Sequence, residues 1–379
     1  MPEQPEPQTE ASSQPDQLVV DLQHLDVVKD ELSVLGVNFA EPIPDDQALN
    51  LGLARLRDLR TSSNELLDLD DLMAEIRQQV GAKRDGWVPT MGTNRWVHTV
   101  IGAGHKPMDG GNPTPATVAD VPEPDPALAT AGTGVLIGIV DTPRLGPAAA
   151  SAKSLSKHAG HATFVESLIQ RQAPNATVEV EGVLDPEQGR ADSWDIARAM
   201  MRLSDLGIDI LNLSLGTYVA AGPPLAISRA IERITPKVLV VAAAGNHGEF
   251  GFLVRGRTRR SAIWPGAIPP VIAVGAVDDH GVRPPWSPDL TWISCTAPGV
   301  DVAGSYISGD VTLDGVVTPF SGFARWSGTS FAAAHASGAI AARSGGSEQR
   351  TARQAYDSLL ADPQGAVKRF DATHGATRA

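Results

Sequence analysis

Two patterns of hydrophobic positions divide this chain. Up to about residue 101 the pattern is mixed: residues 18–25 predict a short strand, residues 27–37 and 48–59 have helix-like spacing, and residues 65–80 predict an amphipathic helix. From residue 134 onward, short continuous apolar runs alternate with amphipathic stretches, and such runs are typical of strands buried on both faces of a sheet. We therefore expect a smaller N-terminal α/β or α+β region followed by a larger α/β domain.

The larger domain is predicted to be a mostly parallel sheet with helices on both faces, because buried strands and helices alternate along it. In such sheets the working residues lie just beyond the carboxyl ends of the strands, and Asp141 and Asn246 lie just past two of them. The predicted strands are residues 134–140, 178–183, 208–213, 237–244, 271–277 and 290–296, and the predicted helices are residues 160–169, 191–206, 223–234, the stretch after Ser330, and 348–360.

Changes in composition mark the predicted boundaries. Residues 1–17 are rich in Pro, Glu, Gln and Ser, which predicts a disordered tail before an N-terminal region at 18–101. Residues 102–133 are rich in Gly, Pro, Ala and Asp, which predicts a linker or extended chain lying over a surface. The main domain then covers residues 134–362, and residues 363–379 form a C-terminal tail.

Charge and cysteine content restrict the setting of the protein. The net charge of −13 over 379 residues disfavours a nucleic-acid partner, and no apolar run approaches the roughly 18 residues that a membrane helix needs. The acidic, polar N-terminus lacks the features of a secretory signal, and the single Cys295 excludes an internal disulfide. These features predict a cytoplasmic protein, with export without a leader as the open alternative.

The stretch from Trp326 to Gly338 is predicted to be a tight glycine turn that places Ser330 on the first turn of an alanine-rich helix. Free backbone N–H groups at a helix N-terminus can hold a developing oxyanion beside a nucleophilic hydroxyl. The alternative is a closely packed small-residue helix on which Ser330 is an ordinary N-cap. Which of the two interpretations holds depends on whether other residues of the chain complete a catalytic site.

Four polar residues lie at predicted element junctions: Asp141, His161, Asn246 and Ser330. In the catalytic hypothesis Ser330 is the nucleophile, His161 is its general base, and Asp141 orients the imidazole. Asn246 and the backbone N–H of Ser330 would stabilise the oxyanion of the tetrahedral intermediate. Each residue alone also has a structural explanation, as a turn residue or a helix cap.

The chain from about 130 to 362 resembles the subtilisin-like serine proteases (the subtilase superfamily). Seven segments carry the resemblance in the order of that family: Ile-Val-Asp-Thr at 139–142, Gly-His-Ala-Thr-Phe-Val at 160–165, Asn-Leu-Ser-Leu-Gly at 212–216, Val-Ala-Ala-Ala-Gly-Asn at 241–246, Ala-Val-Gly-Ala-Val at 273–277, Thr-Ala-Pro-Gly-Val at 296–300 and Ser-Gly-Thr-Ser at 327–330.

The resemblance implies a subtilisin-like fold and a serine endopeptidase with the triad Asp141, His161 and Ser330 and the oxyanion residue Asn246. It implies a substrate-pairing strand and a pocket for the side chain before the scissile bond. An Ala- and Gly-walled pocket suits a medium or large apolar side chain. The strand is Ser214, Leu215 and Gly216, and the pocket residues are Ala243, Ala244 and Gly245.

Several residues depart from the family pattern or compete for a role. Pro143, Ala162 and Ala334 replace residues that are usual in the family, and none of these changes removes a reacting group. His158 is a competing base, although the Gly160 match favours His161. His335 is expected to be a core histidine and Cys295 an inert thiol.

Two functions from different classes follow. The first is a serine endopeptidase with a restricted protein or precursor-peptide substrate, controlled by the N-terminal region either as a pro-segment or by docking a regulatory partner. The second is a catalytically silent module of the same fold that grips peptides. The intact Asp141, His161, Asn246 and Ser330 favour the enzyme. No phosphate-binding glycine loop or Cys/His cluster occurs, so we predict no obligatory cofactor and no metal in catalysis, while structural calcium sites stay open.

Overall fold

The computed structural model describes residues 13–43, 50–100, 111–123, 125–145, 154–248, 262–345, 350–362 and 365–369. Most of the predicted N-terminal tail, the first part of the predicted linker and most of the C-terminal tail lie outside these ranges. The described residues up to 100 form an N-terminal domain with two α-helices and four strands: β1 (Ser13–Asp21), α1 (Leu25–Val34), β2 (Val37–Ala40), β3 (Leu53–Thr61), α2 (Leu69–Lys83) and β4 (Met91–Thr99).

The N-terminal domain is an antiparallel sheet with strand order β4-β1-β3-β2, covered by α1 and α2. Its own core includes Leu18, Leu32, Leu56 and Ile76, all fully buried. Helix α2 is capped by Asp68, whose carboxylate accepts from the backbone N–H groups of the first turn. All strand pairs within this sheet are antiparallel, so of the two predicted classes the domain has the α+β one.

Three predictions for this region differ from the structure. Strand β1 begins at Ser13, inside the segment predicted as a tail, and it ends at Asp21 before a short 3₁₀ turn. The helix predicted at 48–59 is strand β3 in its described part. Asp58 has a φ of 55°, and the register against β2 shifts there as in a β-bulge. Because of the bulge, Leu56 and Leu59 are both buried although they are three residues apart. Hydrophobic residues at this spacing are typical of a helix.

The large domain is built on a seven-stranded sheet of the described residues. Its strands are β6 (Leu136–Asp141), β8 (Thr177–Gly182), β10 (Ile210–Leu213), β12 (Leu239–Ala243), β13 (Ile272–Val277), β14 (Cys295–Pro298) and β17 (Lys368–Arg369), and its helices are α3 (His161–Gln172), α4 (Ser193–Asp205), α5 (Leu225–Ile234), α6 (Thr329–Arg343) and α7 (Ala352–Ala361). The first four strands alternate with α3, α4 and α5 along the chain. The order across the sheet is β17-β14-β13-β12-β10-β6-β8, and all neighbours are parallel except β17. This confirms the predicted mostly parallel α/β fold.

Both faces of the sheet are covered. Val241 belongs to the core that contains α3 and α6, whereas its neighbour Val240 belongs to the core that contains α4 and α5. Successive strand residues point to opposite faces, so the continuous apolar runs reflect burial on both sides.

A long antiparallel hairpin, β15 (Val302–Leu313) and β16 (Val316–Trp326), was not predicted. Its turn is Asp314-Gly315, with both residues at positive φ, and Asp-Gly between extended runs is the sequence signal that could have found it. Thr114–Pro115, β5, pairs with β16, and Leu155–Ser156, β7, pairs with β15. Part of the predicted linker is therefore a strand of this hairpin sheet.

Strand β4 connects the two domains. Beyond its partner β1 it runs between two short strands of the large domain, β9 (Arg190–Asp192) and β11 (Leu215–Gly216), and pairs antiparallel with both. The end of the N-terminal domain thereby lies at the carboxyl edge of the large sheet, where the predicted site residues are found.

Candidate active site

Asp141 and His161 form a buried pair. Asp141 is the last residue of β6, and His161 is the first residue of α3. His161 Nδ1 lies 2.8 Å and 2.9 Å from the two carboxylate oxygens of Asp141, and both side chains are almost fully buried. The backbone N–H of Thr142 donates to Asp141 Oδ1 at 2.7 Å and fixes the carboxylate. Because a carboxylate only accepts, this contact places the proton on Nδ1 and leaves the lone pair on Nε2.

Aromatic rings hold the plane of the His161 imidazole. The ring centroids of Trp326 and Phe331 each lie 5.7 Å from that of His161. Gly160, the residue before His161, leaves room for another ring, since a Cβ built there would lie 2.2 Å from Cε2 of Tyr306. These contacts give the His161 ring one packed orientation.

Ser330 lies in the first turn of α6 and is fully buried. Its Oγ lies 3.0 Å from the carbonyl oxygen of Val100 and 3.1 Å from that of Ser214. Val100 directly follows β4, so the N-terminal domain ends its described part against the Ser330 hydroxyl.

Asn246 donates to the same carbonyl. Its Nδ2 lies 3.2 Å from the oxygen of Val100. Its Oδ1 accepts from the backbone N–H and the hydroxyl of Thr329, each at 3.0 Å, and this orients the amide with its N–H₂ toward Val100. The Thr329 hydroxyl in turn accepts from the N–H of Gly245 at 3.0 Å. The carbonyl of Val100 is therefore within hydrogen-bond distance of both Asn246 and Ser330.

The predicted substrate strand is occupied by β4. Leu215 pairs with Thr99, and Gly216 pairs with His98. The N–H of Val100 donates to the carbonyl of Ser214 at 3.2 Å. An extended peptide added to an exposed strand is a common way for proteins to bind peptides.

The predicted pocket residues lie next to this strand. Ala243 and Ala244 are fully buried at the end of β12, directly before Gly245. A Cβ built on Gly216 would lie 3.2 Å from Cγ2 of Val100, so the Val100 side chain points to this glycine. Sequence reasoning missed Val100 as a participant, because nothing in the surrounding residues distinguishes it from an ordinary strand end.

The competing histidines and Cys295 lie in other environments. His158 Nδ1 lies 2.9 Å from the hydroxyl of Thr99, and burial, with the nearby His161, lowers the pKa of His158 to about 3. His335 contacts the guanidinium of Arg171 at 3.3 Å, and burial lowers its pKa to about 3. Burial raises the pKa of the Cys295 thiol to about 12, which keeps it protonated and unreactive.

The described residues contain neither a metal-binding cluster nor a membrane-crossing helix. No group of three or more His, Cys, Asp or Glu side chains in these ranges is arranged to hold a metal ion. A membrane-crossing helix is not found in the described part of the chain, where no helix combines the required length with the required apolarity.

Comparison with known proteins agrees with this geometry. The chain is 33% identical over 174 residues to a thermophilic serine proteinase of Bacillus sp. (strain AK1), covering 46% of this chain and 37% of that protein. It is 31% identical over 170 residues to subtilisin BL of Lederbergia lenta, covering 45% of this chain and 54% of that protein. The chain thus spans only about a third to a half of the length of these curated relatives.

A solved structure extends the likeness over nearly all of the chain. Fervidolysin from Fervidobacterium pennivorans, a keratinolytic enzyme related to subtilisin, superposes with a TM-score of 0.63 at 15% identity, covering 93% of this chain and 58% of that chain. At this identity the likeness concerns the fold alone. Because the match covers 93% of this chain, it includes much of the N-terminal domain. The family model of the subtilase family matches residues 146–359, beginning after Asp141 and including His161, Asn246 and Ser330. The chain belongs to the subtilase family.

Proposed function

We propose that this chain is a serine endopeptidase and that its N-terminal domain is both its first substrate and its inhibitor, cleaved between Val100 and Ile101. The observation that carries this proposal is the carbonyl of Val100, which lies within hydrogen-bond distance of Asn246 Nδ2 and of Ser330 Oγ. A nucleophile and an oxyanion donor that converge on one peptide carbonyl are the arrangement that acyl transfer needs.

In the proposed reaction Ser330 Oγ attacks the carbonyl carbon of Val100, and His161 Nε2 takes the hydroxyl proton. Asp141 keeps His161 in the required tautomer and stabilises the imidazolium. Negative charge develops on the Val100 oxygen, where Asn246 Nδ2 already donates. The C–N bond then breaks, His161 protonates the leaving amine of residue 101, and water hydrolyses the acyl-enzyme by the same path in reverse.

The contacts of β4 support inhibition by the cleaved domain. After cleavage, residues up to Val100 can keep their pairing with β9 and β11 and continue to fill the site. Away from the site, Arg229 forms an ion pair with Asp21 at 2.8 Å and donates to the carbonyl of Leu51 at 3.2 Å, so α5 also holds the N-terminal domain. Val19, Leu53 and Val97 of the N-terminal domain are buried in the same apolar cluster as residues of α4 and α5, so apolar contacts also hold the cleaved domain.

The experiment is intact-mass measurement of the purified full chain and of Ser330→Ala. The wild-type chain should give a fragment of residues 1–100 and its complement, whereas Ser330→Ala should remain uncleaved. Ser337→Ala is the matched control, because Ser337 is a second fully buried serine of the same helix, hydrogen-bonded to Asn212 rather than to β4. It should be processed like the wild type. A wild-type chain that stays uncleaved would overturn the proposed self-cleavage.

A second candidate is a catalytically silent peptide-binding module, and one observation favours it. His161 Nε2 is buried without a hydrogen-bond partner among the described residues, so the base and the nucleophile are not hydrogen-bonded here. The module would bind β4-like peptides in wild-type and Ser330→Ala forms alike. The two candidates separate in turnover, which Ser330→Ala should reduce by about 10⁶-fold only if the chain is an enzyme.

We also propose a restricted setting for the peptidase. An acidic chain with a single cysteine fits the cytoplasm, where an unrestrained protease is harmful and a narrow protein or precursor-peptide substrate is expected. A regulatory partner that displaces the N-terminal domain would fit the same setting. Cell fractionation with an antibody to the large domain tests the location, because recovery outside the cell would contradict it.

A further inference from the structure

We infer that His158 and Ile263 are specificity-determining residues, which together direct cleavage to a bond preceded by a hydroxyl-bearing residue and then a small apolar residue. Thr99 and Val100 are the example of this sequence within the chain. The inference rests on the proposed function and deepens it, since it names the peptides that the same site accepts.

Ile263 narrows the pocket beside Val100. A Cβ built on Gly216 would lie 2.6 Å from Cγ2 of Ile263, and a Cβ built on Gly245 would lie 2.8 Å from its Cγ1. The Ile263 side chain therefore packs closely against both glycine walls, and the Val100 methyl Cγ2 approaches the same Gly216. Glycine at 216 and 245 does not enlarge the pocket, because the isoleucine fills the space that the missing side chains leave.

This geometry changes the prediction made from the pocket walls alone. Ala243, Ala244 and Gly245 suggested a medium or large apolar side chain, but Ile263 lies on a segment distant in sequence and occupies that space. A flexible neighbour could move aside, whereas a β-branched side chain has few rotamers and its backbone is fixed by the pairing of Trp264 with Thr217. A phenylalanine or leucine in place of Val100 would require Ile263 to leave its position.

His158 contacts the residue before Val100. Its Nδ1 lies 2.9 Å from the hydroxyl of Thr99. Gly189 makes this contact possible, since a Cβ built there would lie 2.1 Å from the same Nδ1. The carbonyl of Gly189 also accepts the N–H of Thr99 at 2.8 Å. One glycine thus fixes the backbone of Thr99 and leaves room for the ring that faces its side chain.

The contact between His158 and the Thr99 hydroxyl favours hydroxyl-bearing residues at this position, because without the hydroxyl His158 Nδ1 is left in the cleft without this partner. His158 is partly buried, and its low pKa keeps it neutral, so Nδ1 must find a neutral donor or acceptor. Threonine and serine provide one, whereas valine has the shape of threonine but no hydroxyl. Sites that hydrogen-bond a substrate hydroxyl discriminate more strongly against its loss than apolar pockets discriminate by size.

The test measures how fast the 1–100 fragment appears from full-length chains that carry substitutions at residue 99 or residue 100. We expect Val100→Phe to slow self-cleavage by about 100-fold and Val100→Ala by less than about tenfold. Ile263→Gly combined with Val100→Phe should restore the rate to within a few-fold. The Thr99→Ser variant should be cleaved at about the wild-type rate. Thr99→Val should be cleaved about tenfold or more slowly than the wild type, and this difference should disappear when both chains also carry His158→Ala.

A peptide series keeps the test decisive if a variant fails to fold. The processed wild-type protein, diluted until its N-terminal fragment dissociates, is given quenched peptides that differ only at the last two residues before the cleaved bond. Higher kcat/KM for Thr-Val than for Val-Val and Thr-Phe supports the inference, and equal or reversed preference overturns it. A chain that forms a Ser330 adduct but prefers phenylalanine contradicts this inference alone. No adduct and no cleavage of any peptide overturns the proposed function and the inference with it.

Discussion

The buried Nε2 atom of His161 has no hydrogen-bond partner among the described residues, while the hydroxyl of Ser330 lies within hydrogen-bond distance of two backbone carbonyls instead. The imidazole is already oriented by Asp141 at 2.8 Å, so the Asp141–His161 contact of the proposed triad is formed and the His161–Ser330 contact is not. The Ser330 hydroxyl must rotate away from the carbonyls of Val100 and Ser214 before His161 can take its proton. Rotation of the Ser330 hydroxyl toward His161 is therefore the first step of the proposed self-cleavage.

This arrangement predicts that Ser330 reacts slowly with a fluorophosphonate until the N-terminal domain leaves. The probe needs the space that Val100 fills and the donor that Asn246 gives to its carbonyl. The labelling rate of the processed protein should rise on dilution, in proportion to the fraction of empty clefts. The rate is measured by intact mass over time, with Ser330→Ala as the unlabelled control. A labelling rate independent of dilution would show that the domain does not block the site.

Asn246→Asp should slow self-cleavage by about 10²–10³-fold. The change keeps an oxygen to accept from Thr329, which preserves the local structure, and replaces the donor that faces Val100 with a carboxylate oxygen. Appearance of the 1–100 fragment is followed by mass. Asn175→Asp is the matched control, because Asn175 is exposed and bonds to Thr133 outside the site. Less than a tenfold difference between the two variants would remove Asn246 from the oxyanion role.

Asn94→Ala should loosen the hold of the cleaved N-terminal domain. Asn94 is fully buried, and its Oδ1 accepts from the Ser193 hydroxyl at 2.7 Å and from the Trp194 N–H at 3.0 Å at the start of α4. Its loss leaves these donors unpaired, which costs about 1–3 kcal/mol, or roughly a 5- to 150-fold higher dissociation constant.

The Asn94 comparison uses peptide turnover by processed protein at decreasing concentrations. Gln79→Ala is the control, because the Gln79 side chain donates to Glu75 within α2. The Asn94→Ala protein should become active at a higher total concentration than the control. If both proteins dissociate over the same range, the contact with α4 does not hold the domain.

The structure brings the predicted site residues together because their positions follow from the topology of a parallel sheet. Asp141 ends β6, Asn246 lies just past β12, and Ser330 lies in the first turn of α6, so all three are at the edge of the sheet that the pattern indicated. Local pattern failed where one residue changes the periodicity, as the bulge at Asp58 does in β3.

Specificity could not be predicted in the same way, because it depends on contacts between distant segments. Ile263 lies against Gly216 and Gly245 because of the course of its own segment, and no periodicity in the sequence predicts that course. His158 was considered as a base because of its place near His161, but its contact is with Thr99, 59 residues earlier in the chain. The occupant of the cleft, Val100, has no sequence signal, since an extended peptide binds there mainly through its backbone.

Acidification should release the cleaved N-terminal domain, and His158 should be responsible. In the complex, burial lowers the pKa of His158 to about 3, with His161, Lys157 and His98 acting in the same direction and Asp185 opposing them. When β4 leaves, water reaches the Nδ1 that faced Thr99, and the pKa of His158 returns toward the ordinary value of about 6.5. Release is then coupled to uptake of a proton.

The sign and range of this effect follow from the linkage. Above pH 6.5 His158 is neutral in both states and contributes no pH dependence, whereas from about 6.5 toward 3 only the released state takes the proton. The dissociation constant should therefore rise as pH falls, by at most about tenfold per pH unit. It is measured between pH 5 and 8 for the processed wild type and for His158→Asn. The difference in slope between the two proteins measures the contribution of His158, and parallel slopes would assign the pH response to another group.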